Sequence, residues 1–290
     1  MYTIGIDIGG TQLRAALLDE EMNIISSFKT DNNRSLTGAE NMDRLIPFIQ
    51  SADKPLKGIG IGSPGPLDLK KGIVVNPPNL IGWDNFEIVK YMEEKTGLKT
   101  YLDNDANVAG LAEAMRGAGA GYESVVFIGI STGLGGAYVY KGEVIHGAHS
   151  CGAEFYNMIV NDDTYCHKGA NPGSLNENAS GSAMQRLATE RYGEEVLTRN
   201  LFKKYYAGDA IAKEILEYTS EVLARGIANI FYTIDPDVYV VGGSVAIHNP
   251  WYVDTVKEKA MRYIVADDIN IARAKYDDDA GLIGAALLVK

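Results

Sequence analysis

The stretch YTIGIDIGGTQLRAALLD, Tyr2 to Asp19, holds the first decision about the fold. Tyr2 to Ile8 is apolar and β-branched, Gly9 and Gly10 interrupt it, and Leu13 to Leu18 resumes the apolar run. Two short β-runs around a glycine turn read as a hairpin, not as a strand feeding a helix. The glycines of DIGGT, Asp7 to Thr11, let the backbone turn sharply and approach a ligand closely, with N–H groups free for phosphate oxygens; a plain β-turn uses the same residues. The better-known nucleotide loops do not occur. There is no GxxxxGK[ST], and neither glycine cluster follows the dinucleotide pattern of strand, GxGxxG and helix.

The same design returns in SVVFIGISTGLGGAYVYKGEVI, Ser124 to Ile145, again strand, glycine turn and strand. Two such hairpins point to duplicated lobes. Lys57 to Gly62 and Thr100 to Leu102 are further strands, preceded by helical sequence at Ala39 to Ile49 and Phe86 to Thr96, an alternation that gives an α/β lobe. Asn107 to Arg116 has helical spacing, and GAGAG (Gly117 to Gly121) breaks the chain after it. Helices are expected at Ser182 to Tyr192, Asp209 to Ile234 and Val253 to Ile264, with a buried strand, Val238 to Val241, ending in Gly242-Gly243. Gly281 to Val289 is a small-residue helix expected to pack back on the first lobe. The expected division is therefore residues 1–117 plus 280–290 for one lobe and 118–279 for the other.

With 290 residues, 46% of them hydrophobic, the chain is long enough for two lobes with substantial cores. A formal charge of -11 disfavours binding to a phosphate backbone, which depends on Lys and Arg, so small-molecule chemistry is expected and nucleic acid is not. Two cysteines in a chain of this size read as reduced thiols. No apolar run approaches the roughly 20 residues of a membrane span, and Met1 leads straight into strand-like sequence; the expectation is a cytoplasmic protein with no membrane partner.

An ordered set of motifs narrows the reading. After DIGGT come IGIGSPGPLD (Ile59 to Asp68), NPPNLIGW (Asn76 to Trp83), LDNDANVAGLAE (Leu102 to Glu113), GISTGLGGA (Gly129 to Ala137), HGAHSCGAE (His146 to Glu154), DPDVYVVGGS (Asp235 to Ser244) and GLIGAA (Gly281 to Ala286). In order and spacing the chain resembles the ROK family of sugar kinases, within the actin-like ATPase superfamily, over essentially its whole length. The resemblance implies two actin-like (ribonuclease H-like) α/β lobes, with ATP and a sugar meeting in the cleft.

It also implies roles. Asp7, Gly9, Gly10 and Thr11 form the first phosphate loop; Thr132, Gly133, Gly135 and Gly136 belong to the second; Gly242 and Gly243 lie near the adenosine. Asp7 would organise Mg2+, mostly through water, since magnesium prefers oxygen ligands and keeps several waters. Asp105 corresponds to the base that takes the proton from the accepting hydroxyl, although Asp103, Asn104, Asp105 and Asn107 are all residue types that cap helices. Gly65, Asn79, Asn104 and Glu154 match sugar-contact positions. A closing of the lobes would exclude water, and a homodimer is implied.

CHKGANPGSLNENASG, Cys166 to Gly181, is where the chain departs from that pattern. Most members follow the sugar-binding Glu with Gly-His and carry CxCGxxGCxE, holding a structural zinc. Here Phe155, Tyr156 and Asn157 follow Glu154, and His167, Gly169 and Ser174 stand opposite the three cysteines. No structural zinc is expected, because Asn157, Gly169 and Ser174 offer no soft side-chain donor. The blander reading of the residual Cys and His is a buried thiol and a surface imidazole; a rearranged site of His149, Cys151, Cys166 and His167 is the competing one. Pro172 to Glu177, PGSLNE, is similar to a stretch in zinc-less relatives that include β-glucoside kinases, which tilts the acceptor, a hexose or β-glucoside, toward the β-glucoside. The family's second sugar-contacting Glu falls at Asn176, with Glu177 one residue later, and the sequence leaves open which faces the sugar. Asn157 keeps a neutral amide for hydroxyl recognition where the family has His.

A sugar-sensing member without catalysis is the alternative. The family's repressors carry an N-terminal helix-turn-helix for which a strand starting at Tyr2 leaves no room, and Asp7 and Asp105 argue against a degenerate binder.

Overall fold

In the computed structural model, which describes residues 1–167 and 170–290, the first glycine stretch is a hairpin. Strands β1 (Tyr2–Ile8) and β2 (Gln12–Leu18) pair antiparallel, with Asp7 opposite Arg14 and Ile8 opposite Leu13. The sheet continues outward through β3 (Ile24–Asp31) and inward through β4 (Leu56–Ser63), and β5 (Leu67–Asp68) and β6 (Ile73–Val74) form a separate small ribbon. With β7 (Thr100–Asn104) the order of the large sheet is β3-β2-β1-β4-β7, the last three strands parallel. Alternate residues of β1, Ile4, Ile6 and Ile8, are buried against Ile59, Ile61, Met42 and Trp83.

Two compact units divide the chain. The first is Met1–Gly117 with Gly142–Val144 and Asp278–Lys290; the second is Ala118–Lys141 with Ile145–Asp277. In the first, α1 (Gly38–Asp43) starts at a capping box, Thr37 and Glu40, and α2 (Ile46–Gln50) follows as a separate helix with Pro47 in its first turn. The single helix expected over Ala39 to Ile49 is thus two, because a proline lacks the N–H that an interior turn would need. Helices α3 (Ile88–Thr96) and α4 (Asp105–Arg116) flank β7 in sequence.

The small-residue helix, Ala280–Leu287, belongs to this unit, and glycine is why it fits. A Cβ on Gly60 of β4 would lie 1.7 Å from the carbonyl oxygen of Ala285, and one on Gly284 would lie 1.7 Å from that of Val108 in α4. Backbone meets backbone on both faces of this helix.

The second unit repeats the strand order. Strand β8 (Ser124–Ile130) pairs antiparallel with β9 (Leu134–Tyr140), and β10 (Glu143–Val144) falls within the first unit. Strands β11 (Val238–Gly242) and β12 (Ile271–Arg273) extend the sheet in parallel, giving β9-β8-β11-β12. Helices α5 (Leu175–Ala179), α6 (Gly181–Tyr192), α7 (Thr198–Tyr206), the long α8 (Ala210–Ile234), α9 (Gly243–His248) and α10 (Pro250–Ala260) complete it. Its core gathers Val126, Ile128, Leu216, Leu223, Ile227, Tyr239 and Tyr252. Lys259 is buried there with partners that offset its desolvation: its Nζ donates at 2.7 Å to both the carbonyl of Glu217 and Oγ of Ser220 and pairs with Glu217 Oε1 at 2.8 Å.

Among the described residues no helix is long and apolar enough to cross a membrane.

Candidate active site

In the first unit the proposed residues gather at the carboxyl ends of the parallel strands, where open α/β sheets bind their ligands. One register row crosses the sheet as Arg14, Asp7, Gly62 and Asp103. Asp103 is buried, its Oδ1 accepting the N–H of Asn104 at 2.7 Å and Nδ2 of Asn107 at 2.8 Å, so it supports the turn from beneath.

Asn104 caps α4: its Oδ1 accepts the N–H of Ala106 at 2.9 Å. Its Nδ2 lies 3.6 Å from where a Cβ of Gly65 would stand, which sets the Gly65 turn beside it. Asp105 is the first residue of α4, and its own Oδ1 shares the Ala106 N–H at 2.9 Å. Asn104 is thus the capping residue, and the exposed Asp105 shares the capped N–H from the first helical position.

The carboxyls of Asp105 and Asp7 shift in the same direction. Desolvation by the protein around Asp105 raises its carboxyl to about 6 although the residue retains a solvent-open face; the Ala106 N–H lowers it and the charge of Asp7 raises it further. Asp7 is likewise pushed up by burial and by Asp278, while Arg14 pulls it down by charge and hydrogen bond. Arg14 lies outside the motifs of the sequence. The hairpin register alone places it opposite Asp7.

The first glycine turn is tied inward by its carbonyls. Gln12 accepts the N–H of Gly9 at 2.8 Å, and Asn32 reaches the carbonyls of Gly9 (Nδ2) and Thr11 (N–H) at 2.9 Å each. The N–H groups of Gly10 and Thr11 have no hydrogen-bond partner among the described residues. Asn79 abuts this turn, its carbonyl 3.4 Å from the position of a Cβ on Gly10, and the exposed Asn79 is anchored by buried Leu80 and Trp83.

The second turn follows the same rule. The carbonyl of Ser131 takes the N–H of Gly181, that of Thr132 takes the N–H of Ser182, both at 2.9 Å, and that of Gly133 takes the N–H of Ser131. Thr132 and Gly133 again present two consecutive N–H groups with no partner among the described residues. The turn ends sooner than the sequence predicts. Gly135 and Gly136 lie in β9, and Gly136 is small because Ala153 and Phe155 pack against it. Gly242 closes β11; Gly243, at φ +83° and with Ile130 carbonyl oxygen 2.5 Å from a would-be Cβ, admits only glycine and aims the Ser244 N–H at Ser131 Oγ, 3.1 Å away.

The residues of the second unit expected to meet the sugar lie on two segments, joined where the Leu175 N–H meets the Met158 carbonyl at 2.8 Å. Glu154 is exposed ahead of a single 3-10 turn, Phe155–Asn157. Asn157 turns its Oδ1 to the N–H of Asn171 at 2.6 Å, pinning the loop. Asn176 is half-buried and bonded to Leu134 and Glu177, and Glu177 is buried. Cys151 and Cys166 are free and exposed, which corrects the expected buried thiol: both lie outside the helices and strands, where no core covers them. Among the described residues no three His, Cys, Asp or Glu side chains converge as a metal cluster; Gly169 lies outside the described residues.

The chain is 30% identical to a glucokinase of Halalkalibacterium halodurans, over 100% of this chain and 95% of that protein. Its structure is similar to a ROK hexokinase from Thermus thermophilus (TM-score 0.92, 32% identity, 99% and 97% of the two chains). It is also similar to a ROK family glucokinase from Streptomyces griseus in complex with glucose and AMPPNP (TM-score 0.82, 28% identity, 99% of each chain). The fold is the actin-like α/β fold of these kinases. The sequence model of the ROK family matches residues 3–290, and the chain belongs to that family.

Proposed function

We propose that the protein transfers the γ-phosphoryl group of ATP to a primary hydroxyl of a sugar, a hexose or β-glucoside. The observation that carries this reading is the pair of glycine turns, each with its carbonyls tied inward and two consecutive N–H groups left for an anion. Two such donors on each turn, set before a ligand arrives, suit phosphates, because they need no reorganisation as charge develops. Gly242 and Gly243 would stand near the adenosine.

Asp105 is the proposed general base. A carboxyl near 6 is ionised at neutral pH yet basic enough to accept a hydroxyl proton as the oxygen attacks. Asn104 Nδ2, the Gly65 turn and Asn79 would orient the sugar from the first unit, with Glu154 and Asn157 as further acceptor ligands and Asn176 or Glu177 as the remaining candidate.

Magnesium suits the carboxylate of Asp7, a hard oxygen donor whose carboxyl is pushed up first by burial and then by Asp278, a cost that a divalent cation would lower. Asp7 would hold it, mostly through water, and the bound ion would screen the phosphate charge. The homodimer implied by the family resemblance and the cytoplasmic location expected from the sequence belong to the same proposal.

A coupled ADP-release assay over hexoses, N-acetylhexosamines and β-glucosides, comparing the wild type with Asp105→Asn, tests it. The expected result is turnover on at least one sugar by the wild type alone. Nucleotide binding without turnover on any sugar would leave a sensing protein instead.

A further inference from the structure

Asn176 stands in the loop assigned to the sugar, yet its side chain reaches the other substrate's turn. Its Oδ1 accepts the N–H of Leu134 at 3.0 Å, and its Nδ2 donates to Oε1 of Glu177 at 2.8 Å. Leu134 is the residue after the two open N–H groups of Thr132 and Gly133, and a Cβ on Gly133 would lie only 3.4 Å from Asn176 Oδ1. The amide orientation is determined: flipping it would set Oδ1 against the Glu177 carboxylate and Nδ2 against the Leu134 N–H, two mismatches at once.

The mount under Asn176 is rigid. Glu177 is buried, and its backbone carbonyl accepts Nη2 of Arg186 at 3.0 Å. Asn178, buried next to it, donates Nδ2 to the Ser174 carbonyl at 2.9 Å and takes the Tyr218 hydroxyl at 2.6 Å. Oxygen-only or nitrogen-only side chains cannot serve both neighbours of residue 176. Only an amide offers an acceptor to a backbone N–H and a donor to a carboxylate from one planar group.

We infer that Asn176, oriented by Glu177, is a positioning residue for the second glycine turn and acts on the nucleotide rather than on the sugar. It rests on the reading of that turn as a phosphate loop. Held at Leu134, the turn keeps its two N–H groups aimed; released, it loses that aim while the sugar ligands of the first unit stay as they are.

Isothermal titration with AMPPNP on the full chain tests this without requiring turnover. Asn176→Ala and Asn176→Asp should each weaken AMPPNP about tenfold, as the loss of one such hydrogen bond with a partner left unmet predicts. Glu177→Leu, which removes the oxygen that Asn176 Nδ2 meets, should weaken AMPPNP in the same direction by about threefold or more, and sugar KM should move less than about threefold in the Asn176 variants. Unchanged AMPPNP affinity in Asn176→Ala, or a rise in sugar KM alone, overturns the inference. So does an equal loss in both affinities with a lowered melting temperature, which marks a merely structural residue. Should the variants not fold, amide exchange in the wild type decides: a protected Leu134 N–H supports the bond, and a freely exchanging one overturns it. A wild type that binds AMPPNP but phosphorylates no sugar defeats the kinase reading alone; one that binds no AMPPNP defeats both.

Discussion

Arg14 sets two nitrogens on a single oxygen of Asp7, Nη2 at 2.5 Å and Nε at 3.0 Å, straight across the first hairpin. The other oxygen of Asp7 faces the first turn of the C-terminal helix, where a Cβ on Gly281 would lie 2.9 Å from Oδ1. The carboxylate is thereby oriented and part-neutralised before any ligand arrives. Both side chains are mostly buried, at 20% and 17% exposure, so water screens the pair only in part. A double-mutant cycle with Arg14→Ala and Asp7→Asn, read by urea unfolding at pH 7, should give a coupling of about 1–3 kcal/mol. A coupling near zero would show that the pair orients nothing.

Replacing the proposed base should separate activity from stability. Asp105→Asn is expected to lower kcat by about 10²–10⁴-fold, the usual range for a general base. The same change should raise the melting temperature at pH 7, because a carboxyl held at about 6 by desolvation and by Asp7 is disfavoured in its charged form. Calorimetry beside the kinase assay checks both; an inactive variant with a lowered melting temperature would point to a cap and not to a base.

The pH profile follows from the same group. Asp105 is folded with a pKa raised to about 6, so the base is ionised above that pH and lost as pH falls through it. A plot of kcat/KM against pH should lose one proton's worth of activity below about 6, and stability should rise over the same fall in pH, since the folded state binds that proton more tightly than the unfolded one. A flat profile down to pH 4.5 would remove Asp105 from the chemistry.

Packing of the C-terminal helix gives a prediction independent of catalysis. Gly60→Ala and Gly284→Ala each drive a methyl into a carbonyl oxygen that lies 1.7 Å from its ideal position, backbone that cannot swing aside. Each should cost about 3 kcal/mol or more by denaturant unfolding, the upper range for overpacking. A loss under about 1 kcal/mol would mean that the helix sits less closely than described.

Much of this was legible in the sequence where the physics is local. Glycine-broken apolar runs gave both hairpins, and Asp209 opens the long helix as its cap, bonding the Ala212 N–H at 2.9 Å. Strand β3 was not legible: IISSFKTD is almost wholly exposed and is held by backbone pairing to β2, so it carries no core-facing alternation. Helix α7 escaped for a similar reason, with no side-chain cap and only Leu201 and Phe202 buried. The acids Asp7 and Asp105 were found through their motifs. Arg14 was available from hairpin register and was missed, whereas the bond between Asn176 and Leu134 spans 42 positions and follows from no local pattern.

The first unit is discontinuous, and that has a consequence for how the chain is made. Its sheet is complete by Asn104, but the helix wedged against β4 and α4 comes from residues 280–287, synthesised after all of the second unit. Domains usually mature in the order in which they leave the ribosome. Here the second unit, whose main span is unbroken from Ile145 to Asp277, has the means to fold first, and the amino-terminal unit must wait with an open groove until its last helix arrives.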